Sequence, residues 1–345
     1  MSDAPSLPLT FLGAPGSPYT RKMRALLRYR HIPGRMILQG SPQHRERPKP
    51  RIELLPTFYL PDENGQEVPV TDSTPLLRRF EKEFEGRSVI PPDPVVAFLD
   101  EWLEDYGDEW LTKAMFHFRW AFEADVKKAS SILPLWSRVD VSDDDVAPLS
   151  KYFSERQIER LSYVGSNETT APVIEASYRR FLKLFDAHLQ TSPFVLGRRP
   201  ASSDFALYGQ LTQLALFDPT PMRICIDTAP RVYAWVEVME DLSGLEPTDA
   251  DWISHDEISP TLRALLAEAG RVYVPCLLAN AAAVEAGQAQ VETTIDGARW
   301  TQNPFPYQAK CLRWLRASRD SLEAADRAAV DSILDGTGAE ALFEG

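Results

Sequence analysis

The chain has 345 residues, 44% of them hydrophobic and 25% charged, which permits a buried core and excludes the composition of a disordered protein. Its 50 acidic and 37 basic residues give a formal net charge of −13. This balance argues against nucleic-acid binding, which needs a basic surface, and against attraction to anionic membranes. The length predicts about two or three domains.

The cysteines and the N-terminus bear on the cellular compartment. Cys225, Cys276 and Cys311 are scattered without a CxxC spacing, so they predict free thiols in a reducing compartment and no metal site. No apolar run is long enough to span a bilayer. Residues 1–8 lack the basic start and apolar stretch of a signal peptide. We therefore expect a cytoplasmic protein without a membrane partner.

The first 90 residues alternate between strand and helix patterns. The predicted strands are 7–12, 34–39, 57–60 and 66–71, and the predicted helices are 20–30 and 76–84. Asp62-Glu63-Asn64-Gly65 predicts the turn of a hairpin between the last two strands. The Pro-rich, basic segment 41–53 is predicted to be irregular. This order predicts an α/β domain at residues 1–88.

A Pro-rich linker at 86–94 separates this domain from a long helical region. Apolar residues recur at helical spacing from Val95 onward, which predicts an all-helical domain at residues 94–250. Residues 251–345 are less regular and form a predicted C-terminal extension. Within it we expect a helix at 262–287, a hairpin turning at Asp296-Gly297, and two final helices.

Three features of the first domain belong to one candidate site. Ser17 stands between the first strand and the first helix, where free N–H groups and the helix dipole favour an anion such as a thiolate. Leu55-Pro56 precedes the third strand, and a cis bond there would leave the Leu55 backbone facing a cleft. Asp72-Ser73 opens the next helix, where the pair suits an ammonium and a carboxylate. Together they suit a small peptide with a thiol, an amine and a carboxylate.

In these motifs the sequence resembles the glutathione transferase family. Ser17-Pro18-Tyr19-Thr20 stands where glutaredoxins and the ancestral fold have Cys-Pro-Tyr-Cys. Leu55-Pro56 resembles the family's cis-proline, and Asp72-Ser73 its acidic-Ser glutathione anchor. Residues 197–205 resemble the capping motif before the central helix of the family's second domain. The resemblance covers about residues 7–245 and implies a thioredoxin-like domain followed by a helical domain.

The resemblance also implies roles for individual residues. Ser17 or Tyr19 would donate to the glutathione sulfur, while Leu55, Pro56, Asp72 and Ser73 would hold the peptide. With no cysteine in the first motif, disulfide reductase chemistry is not expected. Ala201 stands where the capping motif has Ser or Thr, and Ser202 is the alternative cap.

The run from Tyr106 to Trp120 is dense in aromatic and charged residues. In the family this region lies over the glutathione site, so Tyr106, Trp110, Lys113 and His117 are candidate residues of a hydrophobic co-substrate pocket. The alternative is that they are ordinary core residues. The segment 300–308 either covers the cleft or seals the extension, and we expect the second.

The leading functional hypothesis is glutathione conjugation to a small apolar electrophile, with glutathione as co-substrate and no metal. One alternative is a non-catalytic binding or assembly protein of the same fold, and another is a glutathione-dependent isomerase or lyase. The family resemblance implies a homodimer, with the first domain of one chain against the helical domain of the other.

Overall fold

Residues 7–344 are described by a computed structural model, in which a four-stranded sheet begins the fold. Its strands are β1 (Leu9–Gly13), β2 (Gly34–Leu38), β3 (Thr57–Pro61) and β4 (Glu67–Val70), in the order β2-β1-β3-β4. β1 pairs in parallel with β2 and antiparallel with β3, and β4 is antiparallel to β3. All five residues of β1 are buried, as expected of an apolar central strand. Residues 1–6 of the predicted first domain and Gly345 lie outside the described residues.

Helices cover the sheet as the sequence predicts, with one addition. α1 (Pro18–Tyr29) follows β1, and α3 (Ser73–Glu83) follows β4. Pro18 suits the first turn of α1, because its missing N–H would have no partner inside the helix. The segment 41–53, predicted to be irregular, contains the one-turn helix α2 (Pro42–Arg45), which has no buried residue. The predicted thioredoxin-like arrangement is confirmed.

The second part of the chain is helical. Its elements are α4 (Pro94–Asp105), a π-helical segment (Tyr106–Trp110), α5 (Leu111–Ala121), α6 (Glu123–Ile132), α7 (Asp143–Glu159), α8 (Ala171–Leu189), α9 (Ser202–Leu211), α10 (Pro219–Thr228) and α11 (Pro230–Met239). Asp204 caps α9, since its carboxylate accepts from the N–H groups of Ala201 and Val195, both at 2.9 Å. Ser202 does not replace the missing cap, because its hydroxyl lies 2.6 Å from Asp100 instead.

A buried ion network joins the two parts. Lys22 of α1 has no exposed side-chain surface, and its ammonium lies 2.7 Å from Glu104 and 2.6 Å from Asp108. Arg78 of α3 reaches the other oxygen of Glu104 at 2.7 Å. The first helix of the α/β domain is therefore tied to α4 and the π-helical segment by the buried charge of Lys22, while Arg78 is partly exposed.

The C-terminal extension packs onto this frame instead of standing apart. It consists of α12 (Pro260–Glu285), the hairpin β5 (Val291–Ile295) and β6 (Ala298–Gln302), α13 (Pro306–Asp320) and α14 (Ala324–Leu334). The Tyr273 ring of α12 stacks on Trp102 of α4, with centroids 5.6 Å apart. The predicted hairpin and helices of the extension are confirmed. Among the described residues, no helix has the length and apolarity to cross a membrane.

Candidate active site

Ser17 caps the first helix and lies beside the loop before β3. Its Oγ accepts a hydrogen bond from the Thr20 N–H at 3.2 Å and lies 3.4 Å from the carbonyl oxygen of Leu55, to which it donates. The Leu55–Pro56 peptide bond is cis, as the sequence predicts. The fold thus brings together Ser17 and Leu55, which are 38 positions apart in the sequence.

Asp72 and Ser73 lie at the turn between β4 and α3. Asp72 has φ of +84°, a left-handed conformation that is strained for a residue with a side chain and that clusters at functional sites. Ser73 is the first residue of α3 and is buried. Burial raises the pKa of the Asp72 carboxyl, while a hydrogen bond from the Tyr307 hydroxyl at 2.9 Å partly opposes that rise.

Tyr19 points toward the helical domain. Its hydroxyl donates to the carbonyl oxygen of Asp108 at 2.7 Å. Burial raises the pKa of Tyr19 well above its usual value, and the nearby carboxylates of Glu109 and Asp108 add to the rise. The hydroxyl is therefore neutral, and its bond to a backbone acceptor is shorter than the 3.4 Å bond from Ser17 to Leu55.

A cavity of about 410 Å³ lies between the α/β domain, the helical domain and the extension. This volume suits a small organic ligand. The α/β domain contributes Tyr19, Leu55, Asp72 and Ser73. The helical domain contributes Glu101, Glu104, Asp105, Asp108, Glu109, Thr112 and Lys113. The extension contributes Phe305, Tyr307, Gln308, Cys311 and Trp314.

Of the four predicted pocket residues, only Lys113 lines this cavity. Its ammonium donates to the Val164 carbonyl oxygen at 3.2 Å and to the Gln302 Oε1 at 3.1 Å. Tyr106 and Trp110 are buried in the core. The expectation that they face the pocket is therefore corrected, because the helix turns them toward the extension and α8. Trp110 donates from its indole N–H to the Ser177 hydroxyl at 3.1 Å.

His117 also lies away from the cavity. Its Nδ1 is 2.8 Å from the Ser166 hydroxyl, and its Nε2 is 3.5 Å from Glu175. Burial lowers the pKa of His117, so the ring is neutral near pH 7. These contacts are those of a structural histidine and correct its placement in the pocket.

Sequence reasoning missed the acidic wall of the cavity. Asp105, Asp108 and Glu109 follow an i, i+3, i+4 spacing and all line the cavity. Burial, with mutual repulsion, raises the pKa of Asp105 to about 7 and that of Glu109 to about 8. The spacing in the sequence already shows that the three carboxylates share one helix face. Such a face usually lies in solvent, so the spacing alone does not predict a cavity wall.

The extension covers the cleft, contrary to the expectation that segment 300–308 only seals the extension. Phe305, Tyr307 and Gln308 line the cavity, and Gln308 donates to the backbone carbonyl oxygen of Glu109 at 3.3 Å. The Tyr307 hydroxyl reaches Asp72 across 235 positions of sequence. Any ligand at Asp72 therefore meets the extension as well as the first two domains.

Comparisons with known proteins agree with the fold of the first domain. The family model of the glutathione S-transferase N-terminal domain matches residues 11–88. No curated protein matches the chain.

Solved structures provide remote similarities. A GST-like protein from Pseudomonas syringae has 16% identity and a TM-score of 0.42, over 67% of this chain and 66% of that one. A glutathione S-transferase from Methylobacterium radiotolerans, solved in complex with glutathione sulfonate, has 18% identity and a TM-score of 0.35, over 66% and 92%. A glutathione S-transferase from Rhodospirillum rubrum has 15% identity and a TM-score of 0.41, over 88% and 99%.

The sheet order, the capped first helix and the matched residues agree with one another. Residues 11–88 of this chain are therefore similar to the N-terminal domain of glutathione S-transferases.

Proposed function

We propose that the chain binds glutathione between α1, Leu55 and Asp72-Ser73, and activates its thiol for attack on an electrophile held in the cavity. The observation that carries the proposal is the position of the Ser17 hydroxyl. It lies at the N-terminus of α1, and its donor bond to Leu55 is long, at 3.4 Å. The proposal includes a homodimer, as the family resemblance implies, and a cytoplasmic location, which the free cysteines favour.

The Ser17 hydroxyl has a proton to offer a sulfur anion. Its oxygen accepts from Thr20 through a lone pair, which leaves the O–H free to turn from the Leu55 carbonyl oxygen to a thiolate. A hydrogen bond to a charged partner contributes about 1.5–3 kcal/mol. The dipole of α1 adds to the stabilisation of an anion there. The two effects act in the direction that lowers the pKa of a bound thiol.

Leu55, Asp72 and Ser73 provide complementary groups for the rest of the tripeptide. Once Ser17 turns to sulfur, the Leu55 carbonyl oxygen is available to a peptide N–H. The Asp72 carboxylate suits the ammonium group, and the N-terminus of α3 beside Ser73 suits the adjoining carboxylate. The sulfur would then form a bond to the electrophilic carbon, whose leaving group departs with the bonding electron pair.

Titration calorimetry with glutathione tests the binding step. We expect saturable heat from the wild type and binding weaker by about tenfold to a hundredfold in Asp72→Asn, because a charge-assisted bond is lost. Glu63→Gln, an exposed change in the hairpin turn, is the matched control and should bind as the wild type does. No heat with the wild type, together with no competition by S-methylglutathione, would refute the proposal.

The contact between Tyr307 and Asp72 makes a second prediction. In Tyr307→Phe the carboxylate of Asp72 no longer accepts from the extension, so glutathione should bind about fivefold more tightly, the equivalent of one ordinary hydrogen bond. Tyr163→Phe is the control, since Tyr163 also lines the cavity but is exposed. Equal or weaker binding by Tyr307→Phe would show that the two groups do not compete.

The same contact favours a second candidate function, that of a non-catalytic binding or assembly protein with the glutathione-transferase fold. A hydroxyl from the extension already occupies one oxygen of Asp72, and the cleft is covered by α13. This candidate predicts no conjugation with any electrophile in a panel. Conjugation that depends on Ser17 would exclude it.

A further inference from the structure

The acidic wall of the cavity comes from one helical stripe. Asp105 ends α4, and Asp108 and Glu109 belong to the π-helical segment that follows. Such segments interrupt helices, frequently at functional sites. The spacing turns all three carboxylates toward the cavity, where Gln308 of α13 lies opposite them.

Neither Asp105 nor Glu109 has a cation as partner. Within residues 7–344, no Lys, Arg or His nitrogen lies within 4.0 Å of either carboxylate. Lys22 forms its ion pairs with Glu104 and Asp108. The Lys113 ammonium donates to the Val164 carbonyl oxygen and to Gln302. A buried carboxylate without a cation takes up a proton or attracts a positive ligand, because an unpaired charge out of water is costly.

Two buried acceptors at the cavity also lack donors. Asp108 is 5% exposed and Gln308 is 1% exposed, and both residues line the cavity. In the described part of the chain, Asp108 Oδ1 and Gln308 Oε1 have no hydrogen-bond partner. A buried acceptor left unpaired costs about 1–3 kcal/mol, so both positions favour a ligand that donates.

The wall opposite the carboxylates is aromatic. Phe305, Tyr307 and Trp314 line it, and the Lys310 ammonium lies 4.0 Å from the centroid of the Trp314 ring. Ring faces attract cations, as Lys310 shows at Trp314, although Lys310 itself does not line the cavity. An apolar body with a positive group would therefore find attraction on both sides of the cavity.

We propose that the cavity binds an organic ammonium ion, with its N–H groups toward Asp105, Asp108 and Glu109 and its apolar body against Phe305, Tyr307 and Trp314. A metal ion is less suitable, because no cluster within residues 7–344 has three side chains arranged to hold one. If the proposed glutathione chemistry holds, this ligand is the co-substrate, and that assignment rests on the proposed function. The binding site itself does not.

The protonation state of Glu109 provides a second measurable property of the site. Glu109 faces Asp105, Asp108 and Lys113 along its own helical stretch and Tyr19 from α1. From the extension it faces Tyr273 and Cys276 of α12 and Tyr307, Gln308 and Cys311 of α13. Burial and the neighbouring carboxylates raise the pKa of Glu109 to about 8, so it is protonated at pH 7 without a ligand. An ammonium ion at this position favours the carboxylate, so binding should release a proton.

The test uses the full chain without glutathione and three ligands of one shape: benzylamine, benzyl alcohol and benzoate. Calorimetry at pH 7 should show benzylamine binding at least about tenfold more tightly than benzyl alcohol, with benzoate weakest. Repeating the benzylamine titration in buffers of different ionisation enthalpy should show proton release. Equal affinity for the amine and the alcohol would overturn the inference.

Variants locate the site. Glu109→Gln keeps the shape of the side chain and should lose about tenfold in benzylamine affinity. Glu237→Gln, exposed and outside the cavity, is the control and should lose nothing. If Glu109→Gln does not fold, Asp105→Asn replaces it, and unchanged affinity in the folded variant contradicts the inference. Benzylamine binding without glutathione binding would leave this site intact and remove only the proposed function.

Discussion

Replacing Lys22 with methionine should lower the free energy of unfolding by about 3–5 kcal/mol, the usual effect of removing one partner from a buried ion pair. Methionine matches the length of the lysine stem but brings no charge. Glu104 and Asp108 would then face each other at the boundary between domains, with Thr74, Arg78 and Ser202 as remaining hydrogen-bond donors. Urea unfolding measures the loss.

The contrast with an exposed lysine makes this prediction specific. Lys151 on α7 is exposed and lies 3.9 Å from Glu155, so Lys151→Met should change stability by less than about 0.5 kcal/mol. A loss of less than about 1 kcal/mol for Lys22→Met would mean that the two carboxylates find other partners. That result would contradict the account of how α1 is fixed against α4.

Glutathione conjugation should fall by about tenfold to a hundredfold in Ser17→Ala, while binding of glutathione changes little. The reason is that alanine removes the one hydroxyl positioned to stabilise the thiolate, an interaction of about 1.5–3 kcal/mol. The peptide contacts at Leu55, Asp72 and Ser73 remain. Initial rates with an activated aryl chloride at fixed pH provide the measurement.

Ser17 also caps α1, so the loss of a cap needs its own control. Ser41 caps α2 in the same way, accepting from the His44 N–H at 3.3 Å, and it belongs to a different helix from the proposed thiolate site. Ser41→Ala should therefore lose cap stability without losing conjugation rate. If Ser17→Ala keeps the wild-type rate, the sulfur is activated by another group and the assignment of Ser17 is wrong.

The first domain was predictable because its signals are local. A cap followed by proline predicts where α1 begins, alternating apolar residues and an Asn-Gly turn predict the β3–β4 hairpin, and Asp72-Ser73 predicts the start of α3. Each signal involves a few neighbouring residues whose backbone preferences do not depend on the rest of the chain. The order of these elements then favours one sheet topology.

The cavity was less predictable because it depends on long-range packing. Helical spacing groups Tyr106, Trp110 and His117 but does not say which neighbour that face meets, and the structure places it against the core. The same spacing groups Asp105, Asp108 and Glu109, which become a cavity wall only when α1, α12 and α13 pack around them. Nothing near Tyr307 in the sequence indicates that its hydroxyl reaches Asp72.

The central claim is that a glutathione thiolate is stabilised at the N-terminus of α1. Ultraviolet titration of the thiolate in the glutathione complex measures this directly, in the wild type and in Ser17→Ala. The account predicts a bound thiol pKa below the ordinary value of about 8.5, and a return toward that value in the variant. A bound thiol that titrates at the ordinary value in both proteins would contradict it.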